Sequence, residues 1–188
     1  MSKPESFELT DFLRADLLRA RELTKSQTLG ISGLQLWVGV LSPRFLPVAL
    51  CRVSYFLYLR KLIALAKLVS LCNFVLFGIE IAVQCRIGKG FFLPHTQGTV
   101  IGAYQIGENA VIFQGVTLGA RELDFGYQES SRPILGDGVI VGAGAKVLGP
   151  VKVGSGSRIG ANAVVLESIP ANVLAVGIPA RVIESKIA

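Results

Sequence analysis

Aliphatic residues recur at every sixth position through most of the chain after residue 80. The longest unbroken series is Leu135, Val141, Val147, Val153, Ile159 and Val165. Earlier series with the same step are Ile81, Ile87 and Leu93 and, after a slip of one residue, Ile106, Ile112 and Leu118. A six-residue period is typical of a parallel β-helix, in which three hexads close one triangular coil. We therefore expect these side chains to point inward and to stack on their equivalents in neighbouring coils.

Small residues follow the aliphatic positions closely, as in "VGAGAK", "VGSGSR" and "IGANAV". Glycine, asparagine and alanine tolerate the tight or left-handed backbone that each corner of such a coil requires. Chance periodicity in an ordinary α/β domain is the alternative. Six aliphatic residues in phase, with nearly equivalent small neighbours, favour the β-helix.

The repeat is interrupted once, by the polar stretch "ARELDFGYQESSRP" at residues 120–133. We interpret this stretch as a loop extruded from one corner of the β-helix. Loops that project from rigid scaffolds commonly carry substrate contacts. A loop without any binding role is the alternative.

The amino-terminal part of the chain is apolar and basic, as in "RVSYFLYLRKLIALAKLVSLCNFVLF", and has no acidic residue between Glu22 and Glu80. The bases in this interval are Lys25, Arg44, Arg52, Arg60, Lys61 and Lys67. They are too few and too scattered to favour a nucleic-acid surface. The longest uncharged run, residues 26–43, contains three glycines and several polar residues, which disfavours a membrane span of roughly 20 apolar residues. The remaining interpretation is a helix that lies on a membrane surface or packs on a partner.

These patterns predict an α+β fold, with an α-helical region over residues 1–78 and a β-helix over residues 79–188. With 188 residues, 51% of them hydrophobic, the chain can bury a sizeable core. Its three cysteines have no disulfide or metal-ligand spacing, and no signal-peptide pattern opens the chain, so we expect a reduced, cytoplasmic protein without a metal.

His95 is the only histidine, and Glu80 lies fifteen residues before it. Because one coil spans eighteen residues, this separation stacks the two near the same edge on adjacent coils. A carboxylate beside an imidazole can fix its tautomer and stabilise the imidazolium formed when it takes a proton. The spacing therefore predicts a catalytic dyad, although a lone histidine is more often a packing or surface residue.

The segments "RIGKGFFLPHTQGTVIG", "FQGVTLG", "GAGAKVLG" and "VGIPARVI" resemble serine acetyltransferases among the hexapeptide-repeat acyltransferases. The resemblance covers about residues 47–183. It implies a left-handed β-helix behind amino-terminal helices, and a homotrimer with acetyl-CoA bound between neighbouring β-helices. It leaves open whether two trimers pair.

The resemblance also implies roles for individual residues. His95 corresponds to the general base and Glu80 to its acidic partner. The small residues expected to line the pantetheine arm of acetyl-CoA are Gly119, Ala120, Ala143, Gly144 and Ala161. Arg158 and, with less support from the motif, Arg181 are expected near the CoA phosphates. Each of the small residues has an equally good alternative as a plain turn residue.

Two departures from the serine acetyltransferase pattern concern the acceptor. The family has Asp directly before the catalytic histidine, where this chain has Pro94, and a histidine where this chain has Arg132. Losing a carboxylate removes the partner of serine's ammonium group, and desolvating an unpaired ammonium is costly. We therefore expect Arg132 and Tyr127 to bind the hydroxyl acceptor, and we favour a sugar of a surface polysaccharide or its precursor. Serine O-acetylation for cysteine synthesis is one alternative, and a non-catalytic scaffold is another.

Overall fold

The computed structural model describes residues 8–24 and 45–183. Its three α-helices are α1 (Leu9–Leu23), α2 (Leu46–Leu59) and α3 (Ile63–Phe77), and a 3-10 helix spans Glu129–Ser131. Helix α3 ends at Gly78, whose φ of 62° lies in the left-handed region that glycine adopts readily at a helix carboxyl end. The uncharged run over residues 26–43, together with Lys25 and Arg44, lies outside the described residues. Within the described ranges, no helix is long and apolar enough to cross a membrane.

Short strands follow directly from residue 79 and form three sheets. Face A contains β1 (Ile79–Ile81), β3 (Thr99–Ile101), β6 (Thr117–Gly119), β9 (Lys146–Leu148) and β12 (Val164–Val165). Face B contains β2 (Arg86–Ile87), β4 (Gln105–Ile106), β7 (Ile134–Leu135) and β10 (Lys152–Val153). Face C contains β5 (Val111–Ile112), β8 (Ile140–Val141), β11 (Arg158–Ile159), β13 (Leu174–Val176) and β14 (Arg181–Ile183). All pairs are parallel except β13 with β14.

The register confirms the stacking predicted from the hexads. Leu135 lies beside Val153, Val141 beside Ile159 and Val147 beside Val165, each eighteen residues apart. These side chains are buried, and with their equivalents in other coils they form the core of the β-helix. Amino-terminal helices followed by parallel coils therefore agree with the expected fold class.

A buried ion pair joins the helices to the first coil. The guanidinium of Arg52 on α2 donates from Nε to Asp16 Oδ2 on α1 at 2.7 Å, and from Nη2 to Asp16 Oδ1 at 3.0 Å. It also donates to the carbonyl oxygens of Ile87 and Gly88, while the Phe91 N–H donates to Asp16. Both charged side chains are fully buried, so this network fixes the helices on the β-helix.

Candidate active site

The turns that join face C to face A lie above one another and form one edge of the β-helix, here called the CA edge. It comprises residues 93–98, 113–116, 142–145 and 160–163. The Gly115 N–H donates to the Gln97 carbonyl, the Gly144 N–H to Gln114 and the Asn162 N–H to Ala143, at 2.8–3.0 Å. Each turn is therefore bonded to the next.

His95 lies in the first of these turns. This turn has six residues, whereas the three later turns have four, so the chain is two residues longer at Pro94 and His95. Thr96 Oγ1 donates to the Phe77 carbonyl at 2.8 Å, and the Gly98 N–H donates to Gly78 at 2.9 Å. The turn is thus held against the end of α3, and the His95 side chain is exposed.

Glu80 occupies the middle of β1, where its side chain points outward from face A. It lies in register with Val100 on the next coil. The His95 turn rests on Phe77 and Gly78, so its backbone is bonded to the residues just before Glu80. Among the described residues, no hydrogen bond or ion pair joins Glu80 to His95. The dyad remains a prediction.

Three of the predicted CoA-lining residues lie on the CA edge with His95. Ala143 and Gly144 are half-buried in the third turn, and Ala161 is exposed in the fourth. Adjacent strands in a sheet lie about 4.8 Å apart, so the edge from the His95 turn to the Ala161 turn extends over about 14 Å. Its third and fourth turns present small side chains at these positions, which leaves room for an extended ligand there.

Gly144 shows why one of these turns requires glycine. Its φ is 73°, a conformation that side chains rarely adopt. A Cβ placed there would also clash with Asn162 Oδ1 in the next turn. The turn-residue explanation therefore accounts for Gly144, but it does not account for the exposed Ala161.

The remaining residues predicted to bind CoA lie elsewhere. Gly119 and Ala120 lie where face A turns toward face B, at the opposite edge of the same sheet from His95. A Cβ added to Gly119 would meet no atom within 4 Å, so its surroundings are open. Arg158 begins β11 and Arg181 begins β14, and both are exposed on face C. A single chain thus divides the predicted CoA residues among two edges and face C.

A groove of about 290 Å³ crosses the outer surface of face A beneath the loop. Its floor contains Glu80, Val100, Thr117 and Gly119. The loop covers this floor with Asp124, Phe125, Tyr127 and Arg132. His95 is not among the residues that line it. The groove therefore brings Glu80 together with the predicted acceptor residues, but not with the predicted base.

Arg132, predicted to bind the acceptor, lines this groove, and its donors already have partners within the chain. Its Nε and Nη2 donate to Asp124 Oδ2 at 3.1 and 2.8 Å, and its Nη1 donates to the Gly102 carbonyl at 2.8 Å. Its guanidinium also lies 3.9 Å from the centre of the Tyr127 ring. Because Asp124 neutralises the charge and the stacked ring covers one face of the guanidinium, Arg132 serves to hold the loop.

Tyr127 is committed in the same way. Its hydroxyl donates to the Ala103 carbonyl at 2.7 Å, and burial raises the pKa of Tyr127. Burial alone would raise the pKa of Asp124 as well, but hydrogen bonds from the Gln128 N–H, Ser131 and Arg132 lower it below its ordinary value. Asp124, Tyr127 and Arg132 thus form one cluster in the loop, which is here called the loop clasp.

Sequence reasoning missed two of these partners. Asp124 stands eight residues before Arg132 in the loop, and an acid and a base so close in a polar insertion could have been paired in advance. Asp16 is separated from Arg52 by 36 residues and carries no local signal. Among the described residues, no group of three or more histidines, cysteines and acids could hold a metal ion.

Comparison with known proteins places these features in a family. Residues 132–167 match the family described as bacterial transferase hexapeptide (six repeats). The serine acetyltransferase of Synechococcus elongatus is 43% identical over 143 residues, which are 75% of this chain and 57% of that protein. The chain spans 57 to 61% of the length of the curated relatives it matches.

Solved structures cover more of the molecule. Soybean serine acetyltransferase, solved as the apoenzyme, is 34% identical with a TM-score of 0.78 over 93% of this chain and 69% of that one. The chain belongs to the serine acetyltransferase-like hexapeptide-repeat family. Another member of this family, serine acetyltransferase from Brucella abortus in complex with coenzyme A, is 31% identical with a TM-score of 0.79, over 93% of this chain and 67% of that one.

Proposed function

We propose that this chain is an acetyl-CoA-dependent O-acetyltransferase. The observation that carries the proposal is the CA edge, where the only histidine precedes turns that present Ala143, Gly144 and Ala161. The coenzyme A complex of the Brucella relative supports the same co-substrate. In this proposal the thioester arm runs along the small residues toward His95, and Arg158 and Arg181 lie toward its phosphates.

The reaction needs only a base and a site for the developing oxyanion. His95 takes the proton of the acceptor hydroxyl, and Glu80 orients the imidazole and stabilises its charged form. The hydroxyl oxygen forms a bond to the thioester carbonyl carbon, the carbon–sulfur bond breaks, and the CoA thiolate leaves and takes up a proton. Backbone N–H groups near the turn after β6 stabilise the oxyanion.

A homotrimer completes the site in this proposal. Within one chain, His95 and the groove beneath the loop lie on different parts of face A. If the CA edge of one protomer faces the loop edge of a neighbouring protomer, the two sets of residues form one cleft. We expect the isolated protomer to be inactive for this reason. Whether two trimers pair is left to measurement of the native mass.

L-Serine is the acceptor that the comparisons favour. The relatives and solved structures described above are serine acetyltransferases, and none points to a polysaccharide. The expectation of a sugar acceptor used Arg132 and Tyr127 as binding groups, and both are engaged in the loop clasp. Pro94 still removes one carboxylate, so we expect serine to bind weakly, with a raised KM. We place the reaction in the cytoplasm.

The test is release of CoA thiol from acetyl-CoA with L-serine as acceptor, beside a panel of free and phosphate-linked saccharides. Serine-dependent release that is lost in His95→Asn supports the proposal, because asparagine keeps much of the size but cannot act as a base. Turnover with a saccharide and none with serine would reject serine as the acceptor, but it would still support acetyl transfer from acetyl-CoA. No CoA binding by calorimetry would leave the scaffold alternative.

A further inference from the structure

Helix α3 has the reverse of the usual arrangement of polar and apolar side chains. Toward the protein it presents Ala66, Ser70 and Asn73, and Phe77 at its last position packs against the core. Ser70 Oγ donates to the Ile81 carbonyl at 3.1 Å, and Asn73 Nδ2 donates to the Pro47 carbonyl at 2.9 Å. The polar groups of this helix are therefore used to hold it against β1 and α2.

The opposite side of α3 is apolar and exposed. Its residues, here called the apolar face, are Leu65, Leu68, Leu71, Phe74, Val75 and Leu76. Their exposed fractions run from 49% for Leu65 to 70% for Val75. Leu59, Leu62 and Ile63 extend the surface toward α2, with 40 to 47% exposed. Soluble monomers rarely leave contiguous apolar patches larger than a few hundred Å² uncovered, so this face has an occupant.

Charge indicates which occupant it is. Arg60, Lys61 and Lys67 are exposed beside the apolar face, and α2 and α3 contain no acidic residue. Against a second copy of the same face, these cations would meet one another without an acid to neutralise them. An anionic surface neutralises them and covers the leucines at the same time.

We infer that the apolar face of α3 lies in the interfacial region of an anionic phospholipid bilayer. The helix has 15 residues, or about 22 Å at 1.5 Å per residue, against a hydrocarbon core of about 30 Å. It is too short to cross and lies in the plane of the surface. The inference concerns the helices alone and does not depend on acetyl transfer.

Flotation with vesicles tests the inference. The full chain is mixed with vesicles of equal parts phosphatidylglycerol and phosphatidylcholine, or of phosphatidylcholine alone. We expect it to float with the anionic vesicles, and Lys67→Gln to weaken binding about fivefold, since one cation near such a surface contributes about 1 kcal/mol. Equal binding to both vesicle types, or none to either, would overturn the inference.

Paired double variants separate the apolar face from apolar surface in general. Leu68→Gln with Val75→Gln removes two exposed residues of the face, and we expect at least a tenfold loss of vesicle binding. Leu123→Gln with Ile178→Gln removes two residues that are more exposed, at 88 and 74%, but lie away from α3, in the loop and near the last coil. This control keeps wild-type binding if α3 is the contact. Equal losses in both variants would contradict the inference.

The cysteines supply a direct readout of depth. Cys72 is exposed on α3, whereas Cys51 and Cys85 are buried. Burial raises the pKa of Cys51 to about 11 and that of Cys85 further, so a thiol reagent labels Cys72 first in the folded protein. A polarity-sensitive fluorophore at Cys72 shifts to the blue on anionic vesicles if the inference holds. An unchanged spectrum rejects it.

Light scattering without lipid tests the competing occupant. If the apolar face joins copies of this chain, the Leu68→Gln and Val75→Gln double variant has a smaller native mass than the wild type. Such a drop, without vesicle binding by the wild type, would assign the face to a protein interface. The inference requires an unchanged mass in this variant.

Discussion

Ile112 and Leu71 are both aliphatic residues in regular secondary structure, and they meet opposite surroundings. Ile112 on β5 is fully buried among the stacked hexads, whereas Leu71 on α3 is 55% exposed. In the β-helix the aliphatic residues of the hexads point inward, and most of the charged residues point outward. In α3 Ser70 and Asn73 point inward and the leucines outward. Hydrophobic composition alone therefore does not tell which side of an element faces the core.

The largest expected effect tests whether the chemistry belongs to the β-helix region. His95→Ala should lower kcat by about 10²- to 10⁴-fold, the usual contribution of a positioned general base. CoA affinity by calorimetry should stay close to wild type, because the small residues of the CA edge are unchanged. Near-normal turnover would remove His95 from the mechanism. The vesicle-binding variants of α3 should keep wild-type turnover in solution.

The contact between the two regions comes next. Arg52→Met leaves the buried Asp16 carboxylate without its partner and should destabilise the protein by about 3–5 kcal/mol. Arg60→Met, at an exposed arginine that follows the carboxyl end of α2, should change stability little. Urea unfolding followed by circular dichroism measures both. Adding Asp16→Leu to Arg52→Met should recover most of the loss, because it removes the unpaired charge. No recovery would place the role of Arg52 in its backbone contacts instead.

The comparison of Ile112 with Leu71 can be measured directly. Ile112→Ala should cost about 2–5 kcal/mol, the usual range for truncating a large aliphatic side chain in a core. Leu71→Ala should cost well under 1 kcal/mol in the absence of lipid, since surface substitutions generally fall within about 0.5 kcal/mol. Similar losses for the two variants would show that the apolar face is already covered by protein in solution.

Ligand access at the CA edge gives a smaller effect. Ala161→Leu should weaken CoA binding about tenfold, or about 1.4 kcal/mol, because a bulky side chain would fill the space beside the edge. Ala171→Leu is the matched control, since Ala171 is also an exposed alanine in a turn but lies between faces B and C. Isothermal calorimetry on the assembled protein should show that Ala171→Leu keeps the CoA affinity of the wild type. A loss of CoA affinity in both variants would contradict the placement of CoA along the CA edge.

The smallest effect concerns the loop clasp. The pKa of Asp124 is lowered in the folded protein, so its contribution is present above its unfolded pKa of about 3.9 and is lost as the pH falls through the lower folded value. Asp124→Asn should remove this contribution to stability at neutral pH. Trypsin should then cleave faster after Arg121. Glu129→Gln, at an exposed carboxylate of the same loop, is the control. Unchanged cleavage of Asp124→Asn would mean that the bonds of Tyr127 to Ala103 and of Arg132 to Gly102 hold the loop without Asp124.

Local sequence determined most of the β-helix, because each strand pairs with the same short pattern in the coils above and below it. The inward position of Val141 or Ile159 follows from the period of six. The interruption at residues 120–133 was visible for the same reason, since a polar stretch cannot supply the aliphatic residues that a coil needs.

Tertiary structure decided what depends on contacts between distant residues. The hexads do not show that Arg132 forms an ion pair with Asp124, nor that Gly119 and Ala161 lie on opposite edges of one sheet. The composition of α3 predicted an apolar basic helix, but only its packing showed that Ser70 and Asn73 face inward and leave the leucines exposed. The direction of a side chain is set by the partners that bury it, and for α3 those partners are carbonyl groups far away in the chain.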